Sequence, residues 1–351
     1  MRNHDLKGFE RHILGRHMRI DVTRRRLLTL AGAATLSGAM AGALKAEGLT
    51  AEQAGAPAAQ STAPLFALTR PVHVGAVCLR ARNMGLLKGY YTGMLGLEVL
   101  AETTDEVTLG AGSVALLHIL SRPDAEPEAS GQAGLYHTAF LMPSRTDLAR
   151  WLVHVARSQF PLVGFADHSV SEAVYLADPE GNGVEVYSDR PVERWLWAGD
   201  RVSMGTKELD IDDIFLKTQT RTDRDDYAAV PAGLRIGHIH LKVGALEAAR
   251  GFYNTGLGLD VVAGDDQRGA TFLSSGRYHH HVGANIWDSR DAGQRQDSMT
   301  GLDWFSLQTN DDTILAARKA ELAAKGFAVS EIDGGFEALD PWGTRVRLVK
   351  V

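Results

Sequence analysis

The sequence predicts an α+β protein in which four βαβββ modules pair into two curved-sheet cups, and two recurring segments carry that prediction. A turn reading Gly89-Tyr90-Tyr91-Thr92-Gly93-Met94-Leu95-Gly96-Leu97-Glu98-Val99 reappears as Gly251-Phe252-Tyr253-Asn254-Thr255-Gly256-Leu257-Gly258-Leu259-Asp260-Val261. A hairpin reading Asp178-Pro179-Glu180-Gly181-Asn182-Gly183-Val184-Glu185 has its partner in Asp340-Pro341-Trp342-Gly343-Thr344-Arg345-Val346-Arg347. Such self-similarity is the mark of an internal duplication. A βαβββ module can bury one face of its sheet only against another module, so four of them imply two paired sheets.

The first module opens with a strand at 72–80, followed by a helix over 83–94 with apolar residues at helical spacing. Short strands follow at about 97–103, 106–109 and 113–120. Residues 123–134 hold two prolines and two glycines and read as a loop. The second module repeats the order: strand 136–142, helix 145–158, then strands near 162–166, 172–177 and 183–188. Its last two strands are joined by the Asp178 to Gly183 turn, where Gly and Asn tolerate a positive φ. A connector at 191–234 fits no module and carries one short helix near 212–217. The third module places strands at 236–243, 260–263, 269–274 and 279–287 with a helix at 245–255. The fourth runs from Leu302 to the end with a helix at 312–325. The duplicate thus divides as 71–190 (modules one and two) and 235–351 (modules three and four).

A net charge of -6 with no basic block in the body of the chain argues against nucleic acid as a partner. The single cysteine, Cys78, excludes an intrachain disulfide and a cysteine metal cage. It lies in an apolar run and reads as core. Residues 1–64 differ in kind. Thr23-Arg24-Arg25-Arg26-Leu27-Leu28 leads into an uncharged small-residue stretch from Thr29 to Ala43, which resembles a twin-arginine export signal. An Ala-, Gln-, Ser- and Pro-rich spacer follows. Export is therefore expected, with no membrane span in the mature form.

Aligning the modules by their turns sets His137 and His238 in one slot, early in a first strand; modules one and four hold Ala76 and Trp304 there. Glu185, on the last strand of module two, has Arg347 as its counterpart in module four. Two imidazoles and one carboxylate from three strands of one cup make a facial metal triad, which leaves coordination positions open and suits Fe(II) or a similar ion. The expectation is that modules two and three share the active cup, while one and four form a closed one. A rival set takes His73 in place of His238. In the run His279-His280-His281, alternation sends the outer two to one face and His280 to the other, so at least one imidazole can face the metal. Tyr175, ten residues before Glu185, and His168 near the rim could hold substrate hydroxyls.

Together the turn, the His slots and the Asp-Pro-Glu-Gly-Asn hairpin resemble the vicinal oxygen chelate superfamily. Residues 237–243, 278–287 and 178–187 are similar to the catechol 2,3-dioxygenases within it. The likeness spans 71–351. It implies Fe(II), with Mn(II) as the occasional substitute, held by His137, His238 and Glu185. It implies His281 as the acid/base group with His280 beside it, Tyr175 as a second catalytic group, and His168, Tyr175 and His240 as substrate-binding. The reaction implied is extradiol cleavage of a catechol by O2. The expected partners are thus a small aromatic diol, O2 and further copies of the same chain. A departure is that Trp304 and Arg347 remove module four from the ligand set. A glyoxalase-like isomerase or lyase, or a non-catalytic aromatic- or metal-binding protein, would share the fold. A glyoxalase-type site would want a second carboxylate in place of the His run.

Overall fold

A computed structural model describes residues 64–351. The predicted export signal and nearly all of the spacer lie outside the described residues. Among the described residues no helix is long and apolar enough to cross a membrane.

Module one contains β1 (His73–Ala81), α1 (Met84–Met94), β2 (Glu98–Glu102), β3 (Glu106–Ala111) and β4 (Val114–Ser121). Module two contains β5 (Gly134–Leu141), α2 (Arg145–Arg157), β6 (Gly164–Asp167), β7 (Ser171–Ala177) and β8 (Gly183–Asp189). The connector holds a small hairpin of β9 (Trp197–Ala198) and β10 (Arg201–Val202), then α3 (Ile211–Thr218). Module three has β11 (Arg235–Lys242), α4 (Leu246–Arg250), β12 (Asp260–Asp265), β13 (Ala270–Ser274) and β14 (Val282–Asn285). Module four has β15 (Gly301–Thr309), α5 (Asp312–Ala324), β16 (Val329–Ile332), β17 (Gly335–Leu339) and β18 (Arg345–Lys350).

Local chemistry sets the helix ends. Asn83, Ser144, Asp210 and Asp311 each accept a backbone N–H of the first turn through the side chain, the usual N-cap arrangement. The predicted helix at 245–255 is shorter as an α-helix, because its second half, Gly251–Gly256, winds as a wider π-turn. Both copies of the repeated turn need a left-handed residue at the same place: Gly96 has φ 72° and Gly258 has φ 73°.

Two eight-stranded sheets result, ordered β16-β17-β18-β15-β1-β4-β3-β2 and β12-β13-β14-β11-β5-β8-β7-β6. Module one therefore joins module four through β1 and β15, and module two joins module three through β5 and β11, both antiparallel. The halves 71–190 and 235–351 do not close into separate cups; each lends one module to each sheet. Sequence neighbours meet instead through their helices. Tyr91 on α1 donates to Asp178 in the module-two hairpin at 3.0 Å, and Tyr253 repeats this with Asp340 at 2.9 Å. Trp151 on α2, fully buried, donates to the carbonyl of Met94 at 2.9 Å. These helices and the inner faces of both sheets share one continuous apolar core.

The four slot residues occupy matching positions along their strands. Ala76, His137, His238 and Trp304 are each the fourth residue of β1, β5, β11 and β15. Two residues further along those strands, Ala139 pairs with Glu185, Ser306 with Arg347, Cys78 with His118 and His240 with Gly283. In the module-one and module-four sheet these slots fill one another. The Arg347 guanidinium lies 4.1 Å from the Trp304 ring centroid and is bonded to Glu337, while His118 packs on the same ring and is bonded to Glu106. That cup is closed by its own side chains.

Candidate metal centre

The second cup is lined by β5, β8 and β11, whose central residues are buried on both faces. Burial of His137, Glu185 and His238 is a consequence of their place in the middle of the sheet. Each offers one ligand atom, and the three atoms lie within 4.8 Å of one another; among the described residues no other His, Cys, Asp or Glu group does this. Glu185 Oε2 is 3.0 Å from His137 Nε2 and 3.3 Å from His238 Nε2. Ligands at adjacent corners of an octahedral ion with bonds of about 2.1 Å would sit about 3.0 Å apart, so the spacing fits.

Electrostatics agree. Burial pushes His238 down to about 4, so it stands as neutral imidazole. Burial alone would raise the Glu185 carboxyl, but His238 and then His137 reverse this and hold it well below the usual carboxylate range. Both nitrogens of His137 and Nδ1 of His238 are buried without a hydrogen-bond partner. Buried polar atoms left unpaired cost about 1–3 kcal/mol each. A cation held by all three in place of those imidazole protons would stabilise the carboxylate, and these residues fit one. His73 takes no part: it begins β1 in the other sheet, beside Gln308.

A cavity of about 490 Å³ opens above the triad, and His168, Tyr175, His240 and His280 line it. His168 Nδ1 donates to the Gly205 carbonyl at 2.7 Å, which leaves Nε2 to accept the Tyr175 hydroxyl at 2.7 Å. Asn285 Oδ1 accepts the Trp287 backbone N–H, so its amide nitrogen faces His240 Nε2 at 3.1 Å and fixes the His240 proton on Nδ1. The His240 ring lies over Gly283, the residue in module three that occupies the slot of Glu185.

His281 does not reach the cup. It is fully buried on the far side, where Nδ1 accepts the Ser275 N–H and Nε2 donates to the Ala67 carbonyl, and burial pushes it down to about 3. The expectation of His281 as the acid/base group therefore does not fit this geometry; His280, expected beside it, is the one in the cup, with its ring centroid 4.1 Å from that of His238. Gly276 and Arg277, both at φ 63°, turn the chain just before the run and set which of the three points inward.

Several lining residues carried no repeat signal. Tyr136, Trp287 and Phe272 pack against His240 with centroids 5.0, 5.7 and 5.6 Å away. Arg201 to Thr206 of the connector cover the mouth. The connector is held by apolar packing, with Leu209, Ile211, Ile214 and Phe215 buried in the core, and by an ion pair from Asp213 on α3 to Arg145, which also joins buried Glu172.

Backbone approach matters at Gly237. A Cβ there would stand 1.8 Å from the Tyr187 hydroxyl, which bonds Tyr278 at 2.8 Å and whose ring packs on His238. Gly237→Ala is expected to lower stability by about 1–3 kcal/mol through overpacking and to weaken metal binding through His238. Denaturant melts and metal titration of the variant measure both.

The sequence match decides the family. The description Glyoxalase/Bleomycin resistance protein/Dioxygenase superfamily matches residues 70–186. Over 277 residues the chain is 35% identical to a protein of Bacillus subtilis (strain 168) named Catechol-2,3-dioxygenase, covering 77% of this chain and 94% of that one. The chain belongs to the glyoxalase/bleomycin resistance/dioxygenase superfamily. A solved structure of a putative dioxygenase from Bacillus subtilis shares the superfamily fold with a TM-score of 0.55 at 13% identity, over 79% of this chain and 84% of that one. Glyoxalase I from Zea mays aligns at a TM-score of 0.50 and 14% identity, over 81% and 94%. Two curved sheets of paired modules are thus the superfamily architecture in this chain.

Proposed function

We propose that this protein is a ring-cleaving extradiol dioxygenase acting on a catechol-type diol with Fe(II) as its metal. The observation that carries this reading is the buried triad of His137, Glu185 and His238 beneath an aromatic-walled cavity. The 35% identity to a protein named Catechol-2,3-dioxygenase supports it. Two imidazoles and one carboxylate on one side are the donor set of non-haem Fe(II) oxygenases. When bound, the ion would supply Lewis acidity and a template for the diol oxygens and O2.

The chain's own residues supply the rest. His280 Nε2 takes the proton of a diol hydroxyl, because His280 is the imidazole of the run that faces the cup. Gly205 fixes the His168 proton on Nδ1, so Tyr175 donates to His168 Nε2 and its hydroxyl oxygen is left to accept from the second diol oxygen. His240 presents its Nδ1–H to the substrate. Tyr136, Phe272 and Trp287 hold the ring plane, and Val170, Val202, Met204 and Ala263 keep water from the reacting face. The slot opposite Glu185 holds Gly283, so the cup lacks the second carboxylate that a glyoxalase-type reaction would want.

Anaerobic loading with Fe(II), followed by catechol and air, should give a yellow ring-opened product. A fully iron-loaded protein that opens none of a panel of catechols and hydroquinones would overturn the proposal. Mn(II) loading, run in parallel, reads which metal supports turnover.

A further inference from the structure

Behind His280 runs a chain of hydrogen bonds that leaves the cup. His280 Nδ1 lies 2.9 Å from His279 Nδ1, and His279 Nε2 lies 2.9 Å from Asp189 Oδ1 at the end of β8. His279 is fully buried, and both of its nitrogens are engaged, so turning its ring over would put carbon against both partners. Asp189 also accepts the Tyr278 hydroxyl at 3.2 Å, and Tyr278 meets the Tyr187 hydroxyl at 2.8 Å. The carboxylate is therefore held from two sides.

We propose that Asp189 and His279 are positioning residues that keep the His280 proton on Nδ1 and its Nε2 lone pair facing the cup. The direction of each bond follows from donor chemistry. An ionised carboxylate only accepts, so His279 Nε2 carries a proton. With a single proton on His279, its Nδ1 is bare and can only accept, and His280 Nδ1 is then the donor. His280 Nε2 is left without a proton and without a protein hydrogen bond among the described residues. A base that must take a proton needs that lone pair, and a free histidine would divide between two tautomers. The arrangement also gives a proton taken at Nε2 a route onward: Nδ1 releases its own proton to His279 Nδ1, and Asp189 faces the imidazolium so formed. Neither residue touches substrate. The inference rests on reading His280 as the base.

The test combines a tautomer measurement with kinetics. In protein carrying 15N-histidine and loaded with Zn(II), a diamagnetic probe, His280 is expected to show a protonated Nδ1 and a bare Nε2. In Asp189→Asn the amide donates to His279 Nε2, which moves the proton of each ring to its other nitrogen. His280 should then appear with a protonated Nε2, and kcat of the iron-loaded enzyme should fall by about 10²- to 10⁴-fold with KM changed only a few-fold. A protonated Nε2 on His280 in the unaltered protein overturns the inference outright, whether or not the protein opens aromatic rings. An Asp189→Asn variant with the original tautomer, or with unchanged kcat, overturns it equally. Loss of kcat accompanied by loss of bound metal or by a collapsed melting temperature also counts against it, since that marks a structural role. Should ring cleavage itself fail, the tautomer of the unaltered protein still decides.

Discussion

Glu185→Ala is expected to leave the protein folded, nearly metal-free and without ring-cleaving activity. The carboxylate is the charged member of the triad and lies 3.0 and 3.3 Å from the two imidazole nitrogens. Its removal leaves two neutral ligands in a cavity poor in other anions, and the loss of affinity should exceed the roughly 10- to 100-fold that loss of an outer hydrogen-bond partner costs. His238→Ala should behave likewise, whereas His73→Ala should retain metal because His73 begins a strand of the other sheet. Metal analysis of the three purified variants is the measurement. Near-stoichiometric metal in Glu185→Ala, or loss of metal in His73→Ala, would contradict the assigned triad.

The largest effect on stability is expected at Trp151. Its side chain is completely buried, and its indole N–H is bonded to the Met94 carbonyl. Trp151→Ala removes a large apolar volume between α2 and α1 and leaves that carbonyl to find another donor. The expected loss is about 3–5 kcal/mol. Domains commonly have only about 5–15 kcal/mol to lose, so the variant should melt well below the unaltered protein. Because Trp151 lies on the helix side of the sheet, metal affinity measured below the melting transition should change little. A shift in denaturation midpoint worth under about 1 kcal/mol would show that the two helices are not coupled as described.

Much of the fold could be read from the sequence because the modules share one set of turns. Gly96 and Gly258 require the same left-handed backbone, and Asp178 and Asp340 nucleate the same hairpin. Once those anchors are aligned, the ligand slots follow by counting along strands of equal start. The pairing of modules was legible only through chemistry: Trp304 and Arg347 cannot ligate, which points to modules two and three. The inward residue of the His279 to His281 run was not legible. Those residues precede β14, outside the regular pleat, and the turn at Gly276 and Arg277 sets their direction. The cover formed by residues 201–206 was also hidden, since the connector matches no module and so offers no equivalent slot to compare. Tyr136 and Trp287 could have been suspected as aromatic neighbours of the His slots, though neither repeats between modules.

The order of sheet pairing also bears on how the chain assembles. Thr138 pairs with Ile239 across a separation of 101 residues, whereas Cys78 pairs with Trp304 across 226. One sheet is nested inside the other along the chain, like an inner pair of brackets. Each doubling of a closing loop adds only about 0.6 kcal/mol of entropy cost, so the preference for forming the inner pair first is modest in equilibrium terms. During synthesis it becomes a matter of availability. Every residue of the metal triad has emerged before β15 exists, and β1 must wait with an open edge for a partner made last. The portion of the chain that waits is the portion that carries no ligand.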